Sequence, residues 1–135
     1  MKTALEIVDL LWEKLDGSDL EMEITGSLCK HRRDPDSNQE DVVISCQPVS
    51  NEQLQRALAE VNIYVPDLVV MMNEVEDKQP NHGRLQFLES LAADLLRDNW
   101  TEDLNYDIKE QGLVSGKDSP DHYINIKLEF FILNI

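Results

Sequence analysis

Basic residues are scarce in this chain. Twelve Lys and Arg stand against 27 Asp and Glu, a formal charge of −15 over 135 residues. Such a field repels phosphate backbones and anionic lipid, which excludes ordinary nucleic-acid binding through a basic face and docking on a charged membrane. Cysteine is nearly absent as well. Cys29 and Cys46 have no CxxC spacing, and His31 lies too close to Cys29 for the usual zinc ligand pairs. Both read as small apolar strand residues, free thiols in a reducing compartment. Long apolar runs are missing too. The longest, Leu68 to Met72, has five residues, too few for a membrane-spanning helix. The opening stretch Met1 to Asp9 carries acids where a secretory leader would be apolar. The expectation is a cytoplasmic protein.

What is present is a hydrophobic fraction of 41%. That is enough to argue against general disorder despite the acid excess. The length suits one domain, residues 1–135, with a core that needs no staples. The excess acid admits three readings. It is a solubility device, a surface past which DNA slides, or a mimic of DNA that fills another protein's basic cleft.

Thr3 with Glu6 three residues on has the spacing of a capping box and predicts a helix start. Leu5, Val8, Trp12 and Leu15 recur at helical spacing, and Ile7 and Leu11 lie beside them. Asp16-Gly17 ends the helix. Residues Ile24 to Arg33 and Asp41 to Val49 read as an antiparallel hairpin, with the turn cluster Asp34-Pro35-Asp36-Ser37-Asn38 in a mobile tip, Asp34 to Asp41, that holds no core residue. Residues 52–60 have helical propensity. Yet Ala57, Ala59, Val61, Ile63 and Val65 alternate with polar partners, which favours a strand from Ala57 to Val65 closed by Pro66-Asp67. Leu68 to Gln79 reads as an excursion with a short helical turn over Leu68 to Met72. A second helix is expected over Gly83 to Asn99, with Leu85, Leu88, Ala92 and Leu95 in one stripe widened by Phe87, Leu91 and Leu96. Strands over Leu104 to Gln111 and His122 to Asn134 close the chain, joined by a loop with Gly112, Gly116 and Ser119-Pro120. The order α-β-β-β-α-β-β predicts an α+β fold, a mainly antiparallel sheet with two helices packed on one face.

No motif points to an enzyme. G-x-S-x-G, H-E-x-x-H, P-loop and paired-glycine fingerprints are absent. Asp34, Asp36 and Asn38 open like an EF-hand loop, but Gln39 and Ser45 stand where Gly and Glu belong. His31, His82 and His122 fall in different elements. Asn99-Trp100-Thr101 is a formal glycosylation sequon that reads as a helix exit. No catalytic, cofactor-binding or metal-ligating set is expected. Phe131, Leu133 and Ile135 fall on the otherwise polar face of the last strand, either as a second small core or as a protein contact patch.

Taken together, these elements resemble a phage tail completion or tail terminator protein. The resemblance rests on the helix around Ile7 to Trp12, the charged hairpin at Asp34-Pro35, the strand Val61 to Val65 with Pro66, the helix that follows, and the closing hairpin with His122 to Ile126. It implies a structural assembly protein that caps the tail tube and joins it to the head connector. It further implies a ring homo-oligomer, a hexamer, and a place in the virion tail. Tail-tube and head-connector proteins would be its partners. DNA would pass through the ring without sequence-specific binding, and no cofactor or membrane is implied. Candidate interface residues are Arg32, Arg33, Asp34, Pro35, Asp36, Phe131 and Leu133. The alternative is an acidic protein-binding module, an inhibitor or DNA mimic.

Overall fold

The computed structural model describes residues 2–50, 53–97, 105–115 and 122–133. Helix α1 spans Ala4–Leu15, and the Thr3 hydroxyl accepts the Glu6 N–H at 3.1 Å, satisfying one donor that the first helical turn leaves open. Gly17, at φ +71°, turns the chain out of the helix. A short helix, α2 (Asp19–Glu23), follows under a Ser18 cap. The strands are β1 (Leu28–Lys30), β2 (Asp41–Cys46), β3 (Leu54–Val65), β4 (Leu68–Met72), β5 (Val75–Gln79), β6 (Asn105–Ser115) and β7 (His122–Leu133), with helix α3 (His82–Arg97) between β5 and β6.

The main sheet has the order β1-β2-β3-β7-β6. Every pairing in it is antiparallel except β1 with β2. Strands β3 and β7 form its spine, paired from Leu54 opposite Leu133 to Val65 opposite His122. Alternation along the spine puts Ala57, Ala59, Val61 and Ile63 on the same face as Ile124, Ile126, Leu128 and Phe130, all buried. Ile7, Leu11 and Leu15 of α1 and Leu85, Leu88, Ala92 and Leu96 of α3 pack into that same core. The α+β fold with helices on one face is therefore observed.

The helical faces are rotated slightly from expectation. Leu5 is 62% exposed, and Ile7, Val8, Leu11 and Leu15 carry the α1 contact. In α3, Phe87 is exposed and Leu91 and Leu95 are half-buried.

Several expectations need correction. The first two strands are no antiparallel hairpin, because β1 runs parallel to β2. Residues 31–40 double back and pin 25–27 alongside 40–42. Thr25 and Glu40 exchange hydrogen bonds at 3.0 and 3.2 Å, the Gly26 N–H donates to the Glu40 carbonyl at 2.8 Å, and the Ser27 N–H donates to Asp41 at 2.9 Å. A Cβ on Gly26 would collide with the Glu40 carbonyl and the Asp41 carboxylate, so glycine permits this approach. The supposed bare tip also contributes two buried acids, Glu40 and Asp41.

The β1 strand is shorter than Ile24 to Arg33, since Ile24 serves as the C-cap of α2, Thr25 to Ser27 are tied to residues 40–42, and His31 turns away at φ +71°. Strand β3 begins earlier than Ala57, at Leu54, and β6 runs through Gly112 to Ser115. Leu68 to Met72 is a strand and not a helical turn. Expected features at Glu52, Asn99 with its sequon, Leu104, Gly116, Ser119-Pro120 and Asn134, and the side chains of Leu133 and Ile135, lie outside the described residues.

Candidate functional site

Arg32, Arg33, Asp34, Pro35 and Asp36 lie in the loop between β1 and β2. Asp34 shapes it as a turn, accepting the Asp36 N–H on its side chain at 2.9 Å and the Ser37 N–H on its carbonyl at 3.0 Å. Arg33 is an anchor of the fold. Its guanidinium lies 4.2 Å from the centre of the Tyr64 ring and 3.3 Å from the buried Asp41 carboxylate, which also accepts the Ser37 hydroxyl at 2.5 Å. Arg32, Asp34, Pro35 and Asp36 are exposed.

Phe131 lies on the sheet face away from the helices, with the Arg56 guanidinium 5.7 Å from its ring centre. Leu133 ends β7 in register with Leu54. Tyr64 and Arg56 are eight positions apart on the same face of β3, about 26 Å at the usual strand rise. The loop residues and the end of β7 are therefore separate patches.

That open sheet face is polar and internally paired. Tyr64 and Tyr123 stack with centres 4.7 Å apart, and Asn125 donates to Asn62 at 2.6 Å. Lys127 lies 3.4 Å from Glu110, and Lys109 lies 3.9 Å from Glu129. At the upper end of the spine Asp67 and His122 are 2.6 Å apart, with the Asp67 side chain buried.

The surface that sequence reasoning missed is the β4–β5 hairpin. Leu68 pairs with Gln79 and Met72 with Val75, across a two-residue turn in which Asn73 and Glu74 have φ of +52° and +67°. Positive φ at both turn positions matches the twist of a tight hairpin. Among the described residues the two strands pair only with each other. Of residues 68–79 only Val70 is half-buried, and Met71 and Val75 are 65% and 66% exposed. Alternation puts Leu68, Val70, Met72 and Val75 on one face of this arm. The signal in the sequence was an apolar, β-branched run followed by Asn two residues before the next Val.

Beside the arm's base, an open groove of about 260 Å³ has Pro80, His82, Leu85, Glu89, Leu113 and Ile124 in its lining. It lies between the start of α3 and the far half of β6, where Leu113 is 51% exposed. Strand β6 is the edge of the main sheet, so its outer hydrogen-bonding groups face no other strand of that sheet among the described residues.

Among the described residues, no three His, Cys, Asp or Glu side chains cluster as a metal site. Cys29 and Cys46 are unpaired. Burial pushes the Cys46 thiol up to about 11. Burial and the nearby Asp41 charge raise Cys29 too, against a smaller opposing effect of Arg33. Neither is an activated nucleophile at neutral pH. No helix among the described residues is long and apolar enough to cross a membrane. Compared with known families and with curated proteins, the chain matches no family model and no curated protein.

Proposed function

We propose that this chain is a structural assembly protein of a phage or prophage tail, which caps the tail tube and joins it to the head connector as a ring. The observation that carries this reading is the β4–β5 arm. An isolated two-stranded hairpin is marginal in water, and one that bares Leu68, Val69, Met71, Met72 and Val75 gains from a protein surface that covers it. The acidic body complements that role. A net charge of −15 keeps a passing duplex from adhering to the ring.

The test is coexpression with the tail-tube protein encoded in the same genome, followed by electron microscopy of the tubes. The expected result is tubes that stop growing and carry a ring of this protein at one end. Tubes whose lengths and ends are unchanged by the protein would overturn the reading. The net charge also favours a second reading, an acidic module that binds a basic protein. That reading predicts a salt-sensitive complex of one copy with one partner and no effect on tubes.

A further inference from the structure

We infer that the β4–β5 arm of one copy docks on the β6 edge and groove of a second copy, joining the subunits head to tail. The inference rests on the ring reading and names the surfaces that would build the ring.

Two copies that each carry −15 repel one another, so they meet most readily where charge is absent. Two exposed strand stretches meet that condition. Strand β4, Leu68-Val69-Val70-Met71-Met72, has no charged residue, and neither has the far half of β6, Gln111-Gly112-Leu113-Val114-Ser115. Both are open to solvent, and among the described residues both present a strand edge without a neighbour in its own sheet. The charged residues of each element lie elsewhere, Glu76, Asp77 and Lys78 on β5 and Asp107, Lys109 and Glu110 on the near half of β6. Charges on an exposed edge discourage strand addition, and the far half of β6 lacks them.

The apolar surfaces match in the same way. With β4 added along β6, the arm face that carries Leu68, Val70, Met72 and Val75 can cover the groove lined by Leu85, Leu113 and Ile124, which holds one acid, Glu89, on the α3 side. Backbone hydrogen bonds supply the affinity in such strand addition, and side chains in pockets supply the register. The acidic β5 strand is then the outer one, away from the acidic body. A copy's own arm leaves this groove open, because Met71 to Gln79 and Leu113 are all exposed. Arm and groove are different surfaces of one chain, so the contact is heterologous. It propagates until a rotation closes it.

The test uses two charge insertions at exposed sites, Met71→Lys in the arm and Leu113→Lys at the edge, with circular dichroism as the control for folding. Sedimentation velocity at the highest soluble concentration reads the assembly. The wild-type chain is expected to form closed oligomers and each variant alone to stay monomeric. An equimolar mixture of the two variants is expected to give dimers and nothing larger, because only one intact arm and one intact edge remain to meet. A monomeric wild type, variants that still assemble, or a mixture that stays monomeric would each overturn the inference. Oligomers that behave as expected yet leave tail tubes uncapped would sink the tail reading and leave this one standing. Capped tubes with the Met71→Lys variant would do the reverse.

Discussion

Arg84, near the start of α3, holds the buried carboxylate of Glu40 with two hydrogen bonds, Nε to Oε2 at 2.7 Å and Nη2 to Oε1 at 2.8 Å. The same guanidinium donates to the Glu23 carbonyl at 2.5 Å and lies 3.4 Å from its carboxylate. One side chain thus ties α3, the end of α2 and the loop before β2. The hydrogen bonds to Glu40 raise the affinity of Arg84 for its proton further, so it is charged at any working pH. Replacing Arg84 with Met strands a buried acid. The expected cost is about 1–3 kcal/mol in denaturant unfolding, tempered by the partial exposure of Arg84. Adding Glu40→Gln to that variant should recover part of the loss. Equal stability of Arg84→Met and wild type would show that the clamp contributes nothing.

Leu128 sits in the centre of the spine and is fully buried, between the β3 and β6 neighbours Ala59 and Ile108. Leu128→Ala removes contacts on the face where both long helices pack. The expected loss is roughly 2–5 kcal/mol, read from the shift of the urea midpoint. A loss under about half a kcal/mol would mean that the site collapses around the smaller residue.

The turn of the arm carries a local strain. Glu74 holds φ +67°, a region that costs a residue with a Cβ about 1 kcal/mol relative to glycine. Glu74→Gly should raise amide-exchange protection in β4 and β5 and leave the global melting temperature nearly unchanged. Unchanged protection would argue that the arm is held by something other than its turn.

The Cys46 thiol is an acid whose folded pKa, about 11, lies above its ordinary value of 9.0. Between those values the unfolded chain releases the proton and the folded chain keeps it. Stability therefore falls as pH rises from about 9 toward 11, and levels off above that. Below pH 9 the thiol makes no pH-dependent contribution. Comparing Cys46→Ala with wild type across that window isolates the effect, which should vanish in the variant. Alkylation of Cys46 at neutral pH should likewise be slow in the native protein and fast in urea.

Duplex DNA should not bind. Twelve basic residues face 27 acids, and several of the cations are already engaged, Arg33 with Asp41, Lys30 with Asp9 and Arg84 with Glu40. Fluorescence titration at low salt should show no association. Salt-sensitive binding would mean that Lys30, Arg32 and Arg33 form a true contact face for phosphates.

Much of the fold is legible in the residues alone, because it is encoded by spacing along a short stretch of chain. Alternation from Ala57 to Val65 and from Ile124 to Ile132 specifies two strands with one apolar face each, and the observed pairing joins those faces. Thr3, Glu6 and Gly17 mark the ends of α1 for equally local reasons, an open N–H at one end and a positive φ at the other. The turn at Asp34-Pro35-Asp36 is local as well, closed on the Asp34 side chain and carbonyl.

Tertiary structure alone decided the rest. The direction of β1 depends on hydrogen bonds between Thr25 and Glu40, 15 positions apart, and on the room that Gly26 leaves, contacts that no periodicity records. Arg33 belongs to the fold because Tyr64 and Asp41 meet it in space. The run Leu68 to Met72 is apolar enough for a core, yet it stands in solvent as an arm. Whether an apolar strand is buried depends on what folds over it, and among the described residues β4 pairs only with β5 and stays largely exposed. Sequence spacing sets which side chains share a face, whereas long-range contacts set which faces are covered.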